Sequence, residues 1–371
     1  QFFKDAAALS FGVMPSLQDA VSVYGFPLGG DKLSITEGVV SRIEMQGYAH
    51  SHMNFLTMQI DAAINSGNSG GPVIKEGKIV GVAFQVDRSG EALGYVIPLP
   101  VIHRFMKDIK DGKYDGAPYL GIWVQHTRND YLRDFLKMTA DQTGVMVTEV
   151  DYGSSAWGHI RESDVLLSID SIPIANDATI PFLDDERISM FSLMREHQID
   201  DTITVMLLRE GAVVEEKIVL MGWKTLVPRV KYDIRPTYYI YAGLVFTPVC
   251  ENYLNAWSEW KNVPTLLRYN YYFGDMSEDT HQVVLLSKVL AHQVNRGYHE
   301  FSEKVVTHVN GQKIGHIRDV IKMLKAPQGK YHFIKLWGGK LIVLDAKDAQ
   351  AASQEILDRY GIGDHCSADL K

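Results

Sequence analysis

The sequence predicts a mostly β protein with some helix, built from successive small domains. Three observations carry this. Up to about residue 110, short apolar runs rich in Val, Ile and Tyr alternate with Gly/Pro turns and end in one helical segment. A polar, turn-rich stretch at residues 111–118 then interrupts the pattern. Further on, residues 164–170 and 304–311 repeat one arrangement, a β-rich run leading into a turn with helical periodicity beyond it. At 371 residues the chain has room for two to four domains.

In the first block, residues 21–24, 35–41, 58–60, 78–84 and 94–98 read as strands, with Glu76-Gly77 as a hairpin turn. The helix near residues 100–106 places Val101, Phe105 and Ile109 on one apolar stripe, suited to closing a barrel. In the second block, 144–147, 164–170, 202–209 and 213–220 read as strands, the last two joined at Glu210-Gly211. A helix is expected near residues 187–194, capped by the acidic run Asp184-Asp185-Glu186. In the third block, residues 241–246 and 304–309 read as strands, 317–324 as a helix, and 346–360 as an amphipathic helix with Ile356 and Leu357 inward, stopped at Gly361. Residues 251–279 are dense in Trp and Tyr, which need burial within the domain or against another subunit; a stretch of that length is expected to contain helix.

The most informative stretch is Gly67-Asn68-Ser69-Gly70-Gly71, between two of the predicted strands. A serine hydroxyl is a weak nucleophile at neutral pH and must sit on a constrained turn facing a base. Glycines around it permit the sharp turn and let amides point inward. On this reading Ser69 is the nucleophile of a peptidase of the chymotrypsin type, and the oxyanion hole is drawn from Gly67, Asn68 and Ser69, with the Gly67 and Ser69 amides on the developing charge. A bare turn is the competing reading, since short motifs mislead.

The order of motifs decides between the two readings. Val21-Ser22-Val23-Tyr24-Gly25-Phe26-Pro27-Leu28-Gly29-Gly30, then Ile35-Thr36-Glu37-Gly38-Val39-Val40-Ser41, then the serine turn and Gly94-Tyr95-Val96-Ile97-Pro98, resemble the second barrel of HtrA/Deg serine proteases. The run ending at Gln85 and the Tyr-rich C-terminal half are most similar to the plant-type Deg branch. The resemblance implies that residues 1–112 are the C-terminal half of a chymotrypsin-like double β-barrel. Residues 113–228 would be a first PDZ domain, and 229–371 a second, PDZ-like domain carrying the aromatic-rich insertion. Its carboxylate-binding loop falls on Leu120, Gly121 and Ile122, where successive amides face a peptide C-terminus and a strand edge pairs with the peptide. The second PDZ-like domain is expected to serve packing and assembly.

Two departures stand out. The family pattern has proline at Ser66, and serine there keeps every amide. More important, the triad order is His, Asp, Ser, yet His50 and His52 lack the family's histidine context, while Asp5, Asp31 and Asp61 match non-catalytic positions. The resemblance thus places both triad partners before residue 1, and the 371 residues alone are expected not to run the triad.

The expected function is an ATP-independent serine endopeptidase of protein quality control, acting on unfolded or damaged proteins as a trimer or multiple of trimers. Ile64, Val82 and Phe84 are expected to wall a pocket for small or medium apolar P1 side chains. The alternative is a non-catalytic chaperone or peptide-binding module. No cofactor or metal is expected: His50/His52 and His292/His299 read as solvated, and Gly25-x-x-x-Gly29-Gly30 lacks the Gly-Lys-Ser/Thr ending of a phosphate loop. A charge of −8 argues against nucleic acid, and no run approaches the ~20 apolar residues of a membrane span. Cys250 and Cys366 lack metal spacing and read as two free thiols, with a disulfide between them as the alternative. Periplasmic and organellar locations both suit the family.

Overall fold

The computed structural model describes residues 4, 7–26, 32–47, 54–65, 67–87, 93–183, 186–232 and 234–371. The chain divides into two compact units, residues 1–150 with 154–223, and 151–153 with 224–371.

The first unit opens with six strands, β1 (Ala20–Gly25), β2 (Ser34–Gly47), β3 (Asn54–Ile60), β4 (Pro72–Lys75), β5 (Lys78–Asp87) and β6 (Leu93–Pro98). They close a barrel in the order β1-β2-β3-β6-β5-β4, with Ser22 and Val23 pairing Ile74 and Val73 to complete the ring. Period-2 alternation turns Val21, Val23, Met58, Ile60, Val73, Val80 and Val96 inward. Glu76 and Gly77 both have positive φ, as the two-residue β4–β5 hairpin requires.

Helix α1 (Leu99–Asp108) forms where expected, but the barrel does not need it for closure. Strand β4 returns to β1, and the helix stripe is left partly open: Val101 packs inward while Phe105 remains 46% exposed.

The same unit continues with β7 (Pro118–Tyr119), β8 (Ile122–His126), α2 (Asp130–Phe135), β9 (Val145–Val150), β10 (Val165–Ile169), β11 (Ile172–Pro173), β12 (Thr179–Pro181), β13 (Arg187–Ser189), β14 (Thr202–Arg209), β15 (Ala212–Val219) and β16 (Met221–Gly222). The main sheet runs β15-β14-β10-β9-β8, which leaves β8 at an edge. Val145, Val147, Leu166, Val205 and Leu207 fill its core. Asp164 is buried and receives the Arg209 guanidinium at 2.9 and 2.7 Å, while its Oδ2 also accepts from the Arg161 amide.

The helix expected near residues 187–194 forms only in its second half, as a 3-10 helix over Met190–Arg195. Arg187–Ser189 is extended and pairs with Thr179–Pro181, held by Arg187 Nε donating to Thr179 Oγ1 at 2.8 Å. Only Met190–Arg195 coils, as a 3-10 helix whose cap is Ser189, accepting from the Phe191 amide. Ile188 and Met190 are both buried, a spacing of two that an α-helix cannot place on one face. Asp184 and Asp185, expected as caps, lie outside the described residues.

The second unit contains β17 (Tyr239–Tyr241), β18 (Leu244–Pro248), α3 (Glu251–Leu254), α4 (Thr265–Phe273), β19 (Val284–Val289), β20 (Lys304–Val309), β21 (Gln312–Lys313), α5 (Ile317–Lys325), β22 (Tyr331–Leu336), β23 (Leu341–Asp345) and α6 (Ala346–Tyr360). Its sheet runs β17-β18-β19-β20-β22-β23. Helix α6 starts on Asp345, which accepts from the Lys347 and Asp348 amides, and ends on left-handed Gly361; Ile356 and Leu357 are buried. The aromatic insertion divides: Leu254, Val263 and Leu267 form a core with Trp257, Trp260 and Tyr271 against it, whereas Tyr269, Tyr272 and Phe273 are exposed.

A polar network lies inside this unit. His332 is wholly buried, with Nε2 3.1 Å from the Tyr241 hydroxyl and Nδ1 3.1 Å from Asn310 Nδ2. Asn310 Oδ1 accepts from the Phe333 amide, which fixes its Nδ2 as the donor toward His332. The imidazole is therefore neutral and carries its proton on Nε2, and burial holds its pKa below the usual histidine range. Cys250 and Cys366 are free thiols.

Candidate active site

The segment leading out of β3 is tied down before it reaches the serine. Asp61 Oδ1 accepts from the Val39 amide at 2.6 Å, and Thr36 Oγ1 donates to the Ala63 carbonyl at 3.0 Å. Ala62 and Ile64 point into the barrel core, so the turn starts from a fixed base.

Within the turn, three amides are tied to backbone carbonyls. Asn68 N donates to Asn65 O at 3.0 Å, Gly70 N to Ala83 O at 2.7 Å, and Gly71 N to Asn68 O at 2.9 Å. Ala83 N answers to Gly71 O at 3.0 Å, clamping the turn onto β5. Among the described residues, the amides of Gly67 and Ser69 donate to nothing. Gly67 and Gly70 hold φ of +106° and +86°, which generates the reversal. A Cβ on Gly71 would lie 2.0 Å from the Tyr24 carbonyl oxygen, so only glycine lets the turn rest on β1.

The Asn68 side chain is buried against Gly25, and its Oδ1 has no hydrogen-bond partner. It wedges the peptide between the two free amides against β1. Ser69 is exposed, and its hydroxyl donates to the Phe84 carbonyl at 3.2 Å. The structure thus brings together Gly67, Asn68 and Ser69. Ser66, His50, His52, Asp5 and Asp31 lie outside the described residues.

The three residues expected to wall a side-chain pocket separate into two environments. Ile64 is packed in the barrel core beneath Gly94, where a Cβ would meet its Cδ1 at 2.6 Å. Val82 and Phe84 point the other way, into a cavity of about 700 Å³ shared with Phe55, Ile97, Val101 and Phe105. Arg104 and Arg195 also reach this cavity, and burial, followed by the nearby Arg104 charge, pulls the Arg195 guanidinium below the usual arginine range.

At the second predicted site, Leu120 and Ile122 are buried in the sheet core, so the loop offers backbone. Gly121 has φ +79°, and a Cβ there would strike Ser154 at 2.1 Å. The carbonyls of Tyr119, Leu120 and Gly121 accept from Ser155 Oγ, Ala156 N and Ser154 Oγ respectively. Among the described residues, the Leu120 and Gly121 amides donate to nothing, and edge strand β8 follows directly.

Sequence reasoning missed the Phe84 carbonyl, the Gly25 seat and the Asp61 tether. The first two depend on pairing between distant strands. The tether had one local signal, an aspartate directly after a strand. Among the described residues no cluster of His, Cys, Asp and Glu could hold a metal ion. His292 instead caps a 3-10 turn and faces Glu355 at 3.3 Å. No described helix is long and apolar enough to cross a membrane.

With this geometry in place, comparison with known proteins is direct. The trypsin-like peptidase domain family matches residues 3–82, and the PDZ domain family matches residues 227–369. Protease Do-like 4, mitochondrial, of Arabidopsis thaliana is 36% identical over 363 residues, covering 98% of this chain and 68% of that protein. Protease Do-like 2, chloroplastic, of the same plant is 39% identical over 374 residues, covering all of this chain and 61% of that protein. Among solved structures, an HtrA-type protease AlgW with tripeptide matches at 21% identity and a TM-score of 0.45, over 59% of this chain and 70% of that one. The serine turn on a closed barrel and the extended identity to Do-like proteases lead to one conclusion: the chain belongs to the HtrA/Deg (Do-like) family of serine proteases, with a trypsin-like peptidase part and a PDZ domain.

Proposed function

We propose that this chain carries the nucleophile of an ATP-independent serine endopeptidase that degrades unfolded or damaged proteins. The observation that supports it most is the pair of unused amides at Gly67 and Ser69, two residues apart, beside an exposed serine hydroxyl. Ser69 Oγ attacks the scissile carbonyl carbon, and the carbonyl oxygen takes the charge onto those two amides. Asn68 holds the intervening peptide. The hydroxyl proton, now directed at the Phe84 carbonyl, passes to a histidine base and then to the leaving amine. That base and its orienting carboxylate come from a preceding barrel, as the family resemblance implies. Water then releases the acyl group from Ser69.

Residues 113–228 act as a PDZ domain that tethers extended peptide ends at Leu120-Gly121-Ile122, with the edge of β8 offering backbone pairing. Val82 and Phe84 line the apolar side-chain pocket, Ile64 supports the turn from the barrel core instead of walling that pocket, and assembly is in multiples of three. Residues 229–371 serve packing in that assembly.

Ser69→Ala in the full-length protein is the test, with casein cleavage and fluorophosphonate labelling as readouts. Both are expected to be lost while the oligomer elutes unchanged. Cleavage at the parental rate would remove Ser69 from the mechanism. Absence of labelling in the parent would favour a peptide-binding or chaperone role.

A further inference from the structure

The cavity beside the serine turn is larger and more charged than a small apolar side chain requires. Its volume of about 700 Å³ lies within the range of about 300–1,000 Å³ found for sites that enclose a whole small ligand, so several residues of a peptide fit. Apolar side chains dominate the lining, two arginines join them, and no aspartate or glutamate does. Two fixed elements present those arginines. Arg104 lies on α1 and donates to the Gly116 carbonyl at 2.9 Å. Arg195 ends the 3-10 helix that Met190, Leu193 and Met194 pin into the sheet core. Gln198 Nε2 donates to the Arg104 carbonyl at 3.2 Å and ties the two elements together.

Arg195 stands apart from the other arginines. Every other described arginine is exposed or donates a hydrogen bond. Arg195 is half-buried, and among the described residues it donates to nothing and pairs with no carboxylate. Burial and the nearby Arg104 charge both oppose its protonated form. A cation withdrawn from water beside a second cation is destabilising until an anion joins it. Its guanidinium keeps a full set of N–H donors for the bidentate grip that a carboxylate fits.

Building on Ser69 as the nucleophile, we propose that this cavity is a subsite selecting acidic substrates. It encloses an apolar stretch of the polypeptide, while Arg195, with Arg104 beside it, receives a carboxylate carried by that stretch. Continuity with the serine names the occupant. Ser69 Oγ donates to the Phe84 carbonyl and the Phe84 side chain lines the cavity, so a substrate strand beside residue 84 reaches from one to the other. The carboxylate is an Asp or Glu side chain or a free C-terminus.

The experiment pairs cleavage of a peptide series by the full-length protein with fluorescence anisotropy of the same peptides. Two peptides are blocked at both ends, giving the Leu120-Gly121-Ile122 loop no terminal carboxylate, and carry either Glu or Gln beside an apolar core. A third carries Gln and a free C-terminus. The Glu peptide is expected to exceed its Gln twin at least about tenfold in kcat/KM and in affinity. Arg195→Met should erase that margin and Arg195→Lys should restore part of it. Arg195→Met should also melt no lower than the parent, because a half-buried unpaired cation is gone. A margin carried by the free C-terminus instead, and lost in Arg195→Met, identifies the carboxylate as terminal. Equal values for all three peptides overturn the proposal, as does a margin that survives Arg195→Met or an Arg195→Met protein that melts lower. So does laurate binding in the absence of binding by any peptide. Fluorophosphonate labelling separates the two readings: a labelled parent with no margin strikes only the subsite. An unlabelled parent strikes Ser69 and leaves anisotropy to judge the cavity.

Discussion

Gly25→Ala tests whether the serine turn is held from behind by Asn68. A methyl at this position would lie 2.6 Å from Asn68 Oδ1 and 2.7 Å from Asn68 Cα. Carbon atoms rest at about 3.5 Å or more, so the Asn68 backbone must retreat by about 0.8 Å. It has little room to do so, because its amide and carbonyl are bonded to Asn65 and Gly71 and its side chain is buried. Overpacking of this kind costs about 1–3 kcal/mol of stability. The larger consequence falls on the Gly67 and Ser69 amides, which sit one residue either side. A displacement near 1 Å at a reacting centre costs on the order of 10²-fold in rate, similar to deleting one oxyanion donor. The assay is kcat/KM for casein and the fluorophosphonate labelling rate of the full-length variant, beside its melting curve. Gly77→Ala is the control. Its φ is +77° with nothing within 4 Å, so it should cost about 1 kcal/mol through backbone strain and leave both rates unchanged. A Gly25→Ala protein that labels and cleaves at the parental rate would refute the wedge.

Two further perturbations probe the folded units. The His332 pKa is lowered in the folded state, so the unfolded chain binds the proton first. Stability is complete above the ordinary histidine pKa of about 6.5 and falls by up to about 1.4 kcal/mol per pH unit as pH drops below it, until the folded pKa is reached. Urea midpoints measured between pH 7.5 and 5 should show this slope shrinking in His332→Gln; an identical slope would mean that other groups titrate. In the first unit, Arg209→Met leaves the buried Asp164 carboxylate without its cation. A loss of about 3–5 kcal/mol in denaturant unfolding is expected, and a loss below about 1 kcal/mol would show the pair to be dispensable.

Local chemistry made much of this protein legible. Helix α6 begins at an aspartate cap and ends at Gly361, and the hairpins at Glu76-Gly77 and Glu210-Gly211 announce themselves as polar-Gly pairs between apolar runs. The serine turn is equally local, since its glycines are needed wherever the segment folds. At 187–194 the expected helix is cut to Met190–Arg195, because pairing with Thr179–Pro181 keeps Arg187–Ser189 extended.

The sequence by itself determined the turn residues, the strand periodicities and the family. Tertiary structure decided what depends on register between distant strands. It closed the barrel through β4 on β1 and left the α1 stripe open. It seated Asn68 against Gly25 and, among the described residues, left the Gly67 and Ser69 amides without a partner. In β22–β23 it gathered Tyr331, Phe333 and Lys335, spaced by two along the chain, onto one solvent face. A side chain's neighbours along the chain fix its local conformation. Which groups meet across a sheet is fixed only when the whole ladder pairs, because a slip of one residue would send every side chain to the opposite face.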